Sequence, residues 1–336
     1  MRLPASRAPE VPQAPPASAE SSAPPAGSGT LLGRRRARWQ TGVCLALVVC
    51  AVYMARRHWT TVESGAGRLA VADQGWLLVG ATAAIGTWVS AALAQQGAVL
   101  QRLPGRRLVA AQFAASAANH VLPAGLGAGA VNLRFLIRCG LPAPRSASAL
   151  AVKATAGALV RLVLIAALAP ACPGLLRVPH LPPGASAAVL AAAALVAVLL
   201  NSRLWPRCRG ALATVLGDIR AVHACPARAA ALWGGSLAFA ALHSLALIAV
   251  TQAVELPLPP AQVALIYLAA SGAAALLPTP GGLGSLDAAL ALGLTASGAP
   301  TAAAASVVLG YRLLTVWLPL VPGLVVLGLL VRRKAL

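Results

Sequence analysis

Leu277-Pro278-Thr279-Pro280-Gly281-Gly282-Leu283-Gly284-Ser285-Leu286-Asp287 interrupts an apolar stretch near the end of this 336-residue chain. Proline removes a backbone donor and its ring clashes with the preceding turn, while glycine opens conformations that other residues adopt only at a cost. A helix running into Pro278 and Pro280 therefore breaks there. The segments on either side, 261–277 and 286–298, remain apolar enough for hydrocarbon.

The same grammar occurs earlier, in Asn119-His120-Val121-Leu122-Pro123-Ala124-Gly125-Leu126-Gly127-Ala128-Gly129. After this first break comes a short helical segment to Gly140, then Pro142, then an apolar span carrying Lys153 and Arg161. After the second comes a short segment to Gly298, then Pro300, then a span carrying Arg312. The spacing from Gly127 to Lys153 is close to that from Gly284 to Arg312. The natural reading is a duplicated unit containing a broken helix.

Composition supplies the medium. Apolar residues make up 59% of the chain and charged residues 10%, against about 25% charged in a soluble domain. The mean hydropathy is +0.78. Residues 184–201 and 229–254 carry no formal charge, and about 20 apolar residues suffice for a helix to cross the hydrocarbon core. Short alternating strands, the mark of a membrane barrel, are absent. The expectation is an all-α, polytopic transmembrane helical bundle with two broken or re-entrant helices. Its spans are 39–56, 75–97, 108–122, 146–170, 184–201, 230–251, 261–277, 286–298 and 302–331.

The net charge of +20 does not mark a nucleic-acid binder, because the arginines sit in separate clusters between apolar runs rather than along one stripe. The six cysteines have neither metal-ligand spacing nor a disulfide framework, so no metal or other cofactor is expected. Residues 1–35, rich in Pro, Ala and Ser, read as a disordered cytoplasmic tail, with 36–336 as one integral membrane domain of about seven to nine helical segments. Arg34, Arg35, Arg36 and Arg38 precede the first span, five arginines lie in 202–229, and Arg332, Arg333 and Lys334 close the chain. Positive charge marks the cytoplasmic side, which puts both termini inside the cell membrane. That assignment fits the number of crossings only if 108–140 enters and leaves from the cytoplasmic side and 261–298 from the outer side. The two repeats would then be inverted, a pattern of transporters whose sites lie between broken helices.

Irregular backbone at membrane depth is tolerated only inside protein or against a watery cavity. The amides opening the helix after each break carry partial positive charge and suit an anion. Arginine within a span costs ~2.5–3.5 kcal/mol on insertion scales, so Arg312 requires a partner or a cavity. The candidate ligand groups are Arg312, Asp287, Gly281, Gly282, Gly284, Arg134, Lys153 and Asn119, with Pro123, Gly125, Gly127, Pro278 and Pro280 shaping the breaks. Plainer roles compete. Gly125 and Gly129 have the spacing of a close helix contact. Asp287 can stabilise a helix start or pair with Arg312. Arg134 and Arg138 can line an interface, and Lys153 and Arg161 can snorkel. No phosphate loop with lysine, nucleophile elbow or paired carboxylates is present, and seven acidic residues leave little for carboxylate chemistry. No catalytic residue is assigned.

At these residues the chain resembles the lysylphosphatidylglycerol synthase transmembrane-region family, the flippase-like membrane proteins. The resemblance rests on Pro278-Thr279-Pro280-Gly281-Gly282-Leu283-Gly284 with an acid three residues on, Gly298, Tyr311-Arg312, Trp317-Leu318-Pro319 and Gly323. It rests also on Asn119, Pro123, Gly125, Gly127, Arg134 and Gly140, and it spans roughly 36–334. Asp287 stands where the family pattern usually has glutamate. Family members that aminoacylate phosphatidylglycerol carry a soluble transferase domain after the membrane region, and no such domain precedes Leu336 here. The resemblance thus implies the membrane region alone, acting on lipid. The expected function is translocation or binding of a membrane lipid, anionic or phosphate-bearing. The alternative is a non-transporting subunit that scaffolds an envelope or glycolipid enzyme.

Overall fold

The computed structural model describes residues 67, 69, 71–121, 126–172, 216–217, 219–276 and 284–332. The chain divides into a unit Met1–Met54 and a unit Ala55–Leu336, and the described residues belong to the second. The expected tail, the spans 39–56 and 184–201, and the break residues 122–125 and 277–283 lie outside them.

Among the described residues every regular element is helical. They are α1 Gln74–Gly97, α2 Gly105–Val121, α3 Leu126–Arg138, α4 Ala143–Leu168, α5 Pro226–Ala253, α6 Pro260–Leu276, α7 Ser285–Ala296, α8 Thr301–Arg312 and α9 Leu318–Arg332. A π-turn, Leu313–Trp317, joins the last two. Among the described residues four stretches are long and apolar enough to cross a bilayer: Gln74–Gly97, Ala143–Ala171, Pro226–Ala253 and Thr301–Leu330. The helices beside the breaks have 17, 13, 17 and 12 residues. At 1.5 Å per residue each falls short of ~30 Å of hydrocarbon. The sequence places these elements within a few residues, because hydropathy and the Pro/Gly punctuation coincide at their ends.

The axis of the bundle is the antiparallel pair α1–α5. Asp73 N–H at the start of α1 donates to the Ala253 carbonyl at the end of α5, 3.0 Å away. At the other end the Arg228 guanidinium donates to the Gln96 carbonyl at 3.0 Å. Between lipid-like chains there is no hydrophobic drive to associate, so packing depends on close backbone approach through small residues. A Cβ on Gly97 would lie 2.2 Å from Leu232 N, and one on Gly235 would lie 2.4 Å from Ala94 N. Those two glycines let the backbones touch.

Each end of this axis carries its own core. One contains Ala92, Ala98, Val99, Leu108, Phe135, Leu136, Val152 and Leu232. The other contains Ala83, Val250, Leu256, Val263, Leu290, Leu294, Ala299 and Tyr311. The hairpin α2–α3 thus enters and leaves at the Gly97 end, and the hairpin α6–α7 enters and leaves at the opposite end. The following spans also run in opposite directions. α4 passes from Val152 in the first core to Val160 in the second, whereas α8–α9 passes from Ala303 in the second to Leu327 and Leu330 packed on the first. The duplicated units are antiparallel within the bundle, as the count of crossings requires.

Their equivalence is visible bond by bond. Gly140 has φ 93° and Gly298 has φ 91°, left-handed values that glycine adopts most easily. Leu141 N–H donates to the Leu136 carbonyl and Ala299 N–H to the Leu294 carbonyl, each at 3.1 Å. Pro142 and Pro300 then open the next helices with matching ψ of 147° and 140°. Aligning Gly140 with Gly298 sets Leu126 on Gly284, Gly129 on Asp287, Lys153 on Tyr311 and Ala154 on Arg312.

Candidate functional site

A cavity of about 650 Å³ lies between the two repeats. Its wall includes Thr87 and Trp88 of α1, Gln112, Ser116 and Asn119 of α2, and Ala128, Gly129 and Asn132 of α3. α4 contributes Lys153, Ala154, Gly157, Ala158 and Arg161, and α5 contributes Ser236, Phe239 and His243. Tyr267, Leu286, Tyr311, Arg312 and Thr315 complete it. Residues within one turn of each break therefore line one chamber, Asn119 and Ala128 on either side of the first and Leu286 after the second.

The second repeat contributes an ion pair. Asp287 sits in the first turn of α7, and one carboxylate oxygen accepts the Gly284 N–H at 3.0 Å. The other oxygen takes the Arg312 Nε–H. Both roles considered for Asp287 are thus filled at once, one by each oxygen. The aspartate also spans the reach to Arg312 where the family pattern has the longer glutamate. Arg312 is 6% exposed, and removing one partner of such a buried pair typically costs 3–5 kcal/mol.

Beyond Arg312 the helix widens. Leu318 N–H reaches the Leu313 carbonyl, five residues back, just ahead of Pro319, which has no N–H to offer. Thr315 Oγ1–H donates to the Tyr311 carbonyl at 2.7 Å. Single π-turns inside α-helices recur at functional sites, and this one turns Thr315 and Val316 toward the cavity.

The first repeat uses a chain of neutral amides. Lys153 Nζ donates to Gln112 Oε1 at 3.0 Å, Gln112 Nε2 donates to Asn132 Oδ1 at 2.6 Å, and Asn132 Nδ2 donates to the Ala128 carbonyl at 2.9 Å. The chain links α4, through α2, to the first turn after the break. Gln112 and Asn132 were not singled out in the sequence. Their signal was available: each is an amide side chain flanked by apolar residues in a helical segment, where an unsatisfied amide is costly.

A polar aromatic wall closes the α5 side. His243 Nδ1 lies 2.9 Å from the Tyr311 hydroxyl. The His243 ring stacks on Tyr267 at 5.7 Å between centroids, and Phe239 meets it edge-on at 4.6 Å. This cluster joins α5, α6 and α8, and His243 and Tyr311 stand 68 residues apart, so no local pattern announced it.

The remaining candidates separate. Arg312, Lys153 and Asn119 line the cavity, Asp287 holds Arg312, and Gly284 starts α7 with φ 87°. Arg134 does not join them. It is exposed and absent from the wall, because two residues along a helix from Asn132 is about 200° of rotation. The close helix contact falls on Gly127, where a Cβ would lie 2.1 Å from the Ala118 carbonyl oxygen, while Gly129 has open space beside it. Gly281, Gly282, Pro123, Gly125, Pro278 and Pro280 lie outside the described residues.

The family described as the lysylphosphatidylglycerol synthase TM region matches residues 40–323. No individual curated protein matches the chain. The family match covers most of the sequence, and the chain belongs to that family: it is an integral, multi-pass membrane protein, and the family describes a membrane region.

Proposed function

We propose that this member of the lysylphosphatidylglycerol synthase TM-region family binds a phosphate-bearing membrane lipid and moves its head group through the chamber between the repeats. The observation that carries the reading is a cavity of about 650 Å³ whose charged wall residues are all basic: Lys153, Arg161 and Arg312. A basic chamber within a bundle that meets hydrocarbon suits a molecule with an anionic head and apolar tails. Hairpins entering from opposite ends give each membrane face its own route to the site.

The orientation proposed is the Gly97 end inward, in the cell membrane, with both termini cytoplasmic. Arg102, Arg106 and Arg107 follow α1, Arg138 and Arg145 flank the Gly140 turn, and Arg228 and Arg332 lie at helix ends on the same side. The opposite end carries Asp73 and Glu255 among its described residues. That asymmetry supports the assignment by the positive-inside rule.

The experiment is reconstitution of the full chain in liposomes with a fluorescent phosphatidylglycerol analogue, following loss of outer-leaflet label to a membrane-impermeant quencher. Lys153→Gln, which keeps a hydrogen-bonding group against Gln112, is expected to slow exchange at least tenfold with an unchanged melting profile. Exchange at the parent rate would exclude this chamber as the route.

A further inference from the structure

The charge count of the chamber narrows the head group, given the lipid-binding reading above. Three cations line it, Lys153, Arg161 and Arg312. The carboxylate of Asp287 is committed to Arg312, which leaves two positive charges in the wall uncompensated by any carboxylate among the described residues. Both lie on α4. Lys153 gives one donor to Gln112, so its ammonium retains hydrogen-bonding capacity. The Nε of Arg161 is buried with no hydrogen-bond partner, and the side chain lies along α6, its Cδ 3.8 Å from where a Cβ on Gly272 would be.

The strip between the two cations is bare. Lys153 and Arg161 stand about two turns apart, roughly 12 Å along the axis at 1.5 Å per residue. Ala154, Gly157 and Ala158 fill that interval on the same wall. A Cβ on Gly157 would meet no atom within 4 Å. One ligand can therefore reach both charges without displacing a side chain. Two like charges on one wall repel each other, and a single anion relieves only half of that.

From this we infer that the ligand is a two-phosphate lipid, one negative charge held at Lys153 and another at Arg161, and that Arg161 is a head-group ligand which the motif residues do not include. Two lipid classes share this chemistry: a bis-phosphatidyl lipid, with two phosphodiesters on one bridge, and a polyprenyl diphosphate. A lipid with one phosphodiester satisfies one cation and leaves the other bare.

The test places the full chain in nanodiscs of phosphatidylcholine doped equally with phosphatidylglycerol, cardiolipin and a polyprenyl diphosphate. Native mass spectrometry then reads the lipids retained after the bilayer is stripped. One two-phosphate lipid is expected to exceed phosphatidylglycerol at least tenfold, and its identity decides between the two sources. Arg161→Gln should abolish that preference and Arg161→Lys should keep it. Gly157→Phe, which removes no buried charge, should also abolish it by filling the strip, so the answer does not hinge on the folding of Arg161→Gln. Equal or greater retention of phosphatidylglycerol, or a preference surviving Arg161→Gln and Gly157→Phe, overturns the two-charge inference. Phosphatidylglycerol retained in a Lys153-dependent way would leave the lipid-binding reading standing. Retention of no anionic lipid at all would remove both.

Discussion

The Gly140 and Gly298 turns match hydrogen bond for hydrogen bond, yet the two halves tie their helices together by different chemistry. In the second, Asp287 ties the start of α7 to Arg312 by a charge-assisted contact. In the first, the equivalent positions are Gly129 and Ala154, both open to the cavity, and Lys153 is linked to α3 through the neutral amide of Gln112, which donates to Asn132. The widened turn after Arg312 likewise has no counterpart in α4, which is regular from Ala143 to Leu168. One copy of the unit is closed on itself. In the other, the cation meets a neutral amide instead of a carboxylate. Both copies have the same turn, where the backbone leaves little choice, while their polar positions differ.

Substitutions can break this comparison. The largest effect is expected at Gly127, where an added Cβ would sit 2.1 Å from the Ala118 carbonyl oxygen. Gly127→Ala should force α2 and α3 apart and cost about 3 kcal/mol or more, the upper end for overpacking. Its counterpart Ser285 already carries a side chain. Next comes Asp287→Asn, which weakens the cap and leaves Arg312 without a carboxylate. Because the Asp287 side chain is 29% exposed, the loss should be about 2–3 kcal/mol, below that of a fully buried pair. Unfolding in mixed micelles with increasing denaturing detergent, followed by circular dichroism, measures both.

The same titration sharpens the equivalence of the turns. Gly140→Ala and Gly298→Ala should each cost about 1–2 kcal/mol, the penalty for an L-residue in the left-handed region. A marked inequality between them would mean the turns are not duplicates. The smallest change is expected at Gly129, where a Cβ meets nothing. Gly129→Ala should be neutral or stabilise by about 0.5–1 kcal/mol through helix propensity.

Much of this was legible in the sequence, for physical reasons. Pro142, Pro300, Gly140 and Gly298 act within one turn of the chain, so their meaning is local. Hydrophobic runs near 20 residues report the bilayer directly. The parity of crossings even foretold that the two hairpins open toward opposite ends. Arg312, Lys153 and Asn119 were readable as cavity groups because polar side chains inside apolar spans demand an explanation. Side-chain partnerships across the fold were less legible. Nothing near Lys153 names Gln112, and nothing near His243 names Tyr311 and Tyr267. Arg134 stands outside this cavity because helical phase separates it from Asn132, which its place in the motif does not reveal. The contact of Gly97 with Leu232 joins helices far apart in sequence, and small residues are too frequent in this chain for two of them to stand out.

The central claim is that one face of α4 borders a chamber holding water and charge while the other faces hydrocarbon. Single cysteines at Ala154, Gly157, Leu159 and Val163, introduced into a cysteine-free chain in liposomes, test it with a charged, membrane-impermeant thiol reagent. Leu159 and Val163 are 46% and 66% exposed, so packing within the protein does not shield them. Cysteines replacing Ala154 and Gly157 should react at least tenfold faster than those replacing Leu159 and Val163, and added anionic lipid should slow only the first two. Equal labelling of both faces, or faster labelling at Leu159 and Val163, would contradict the account.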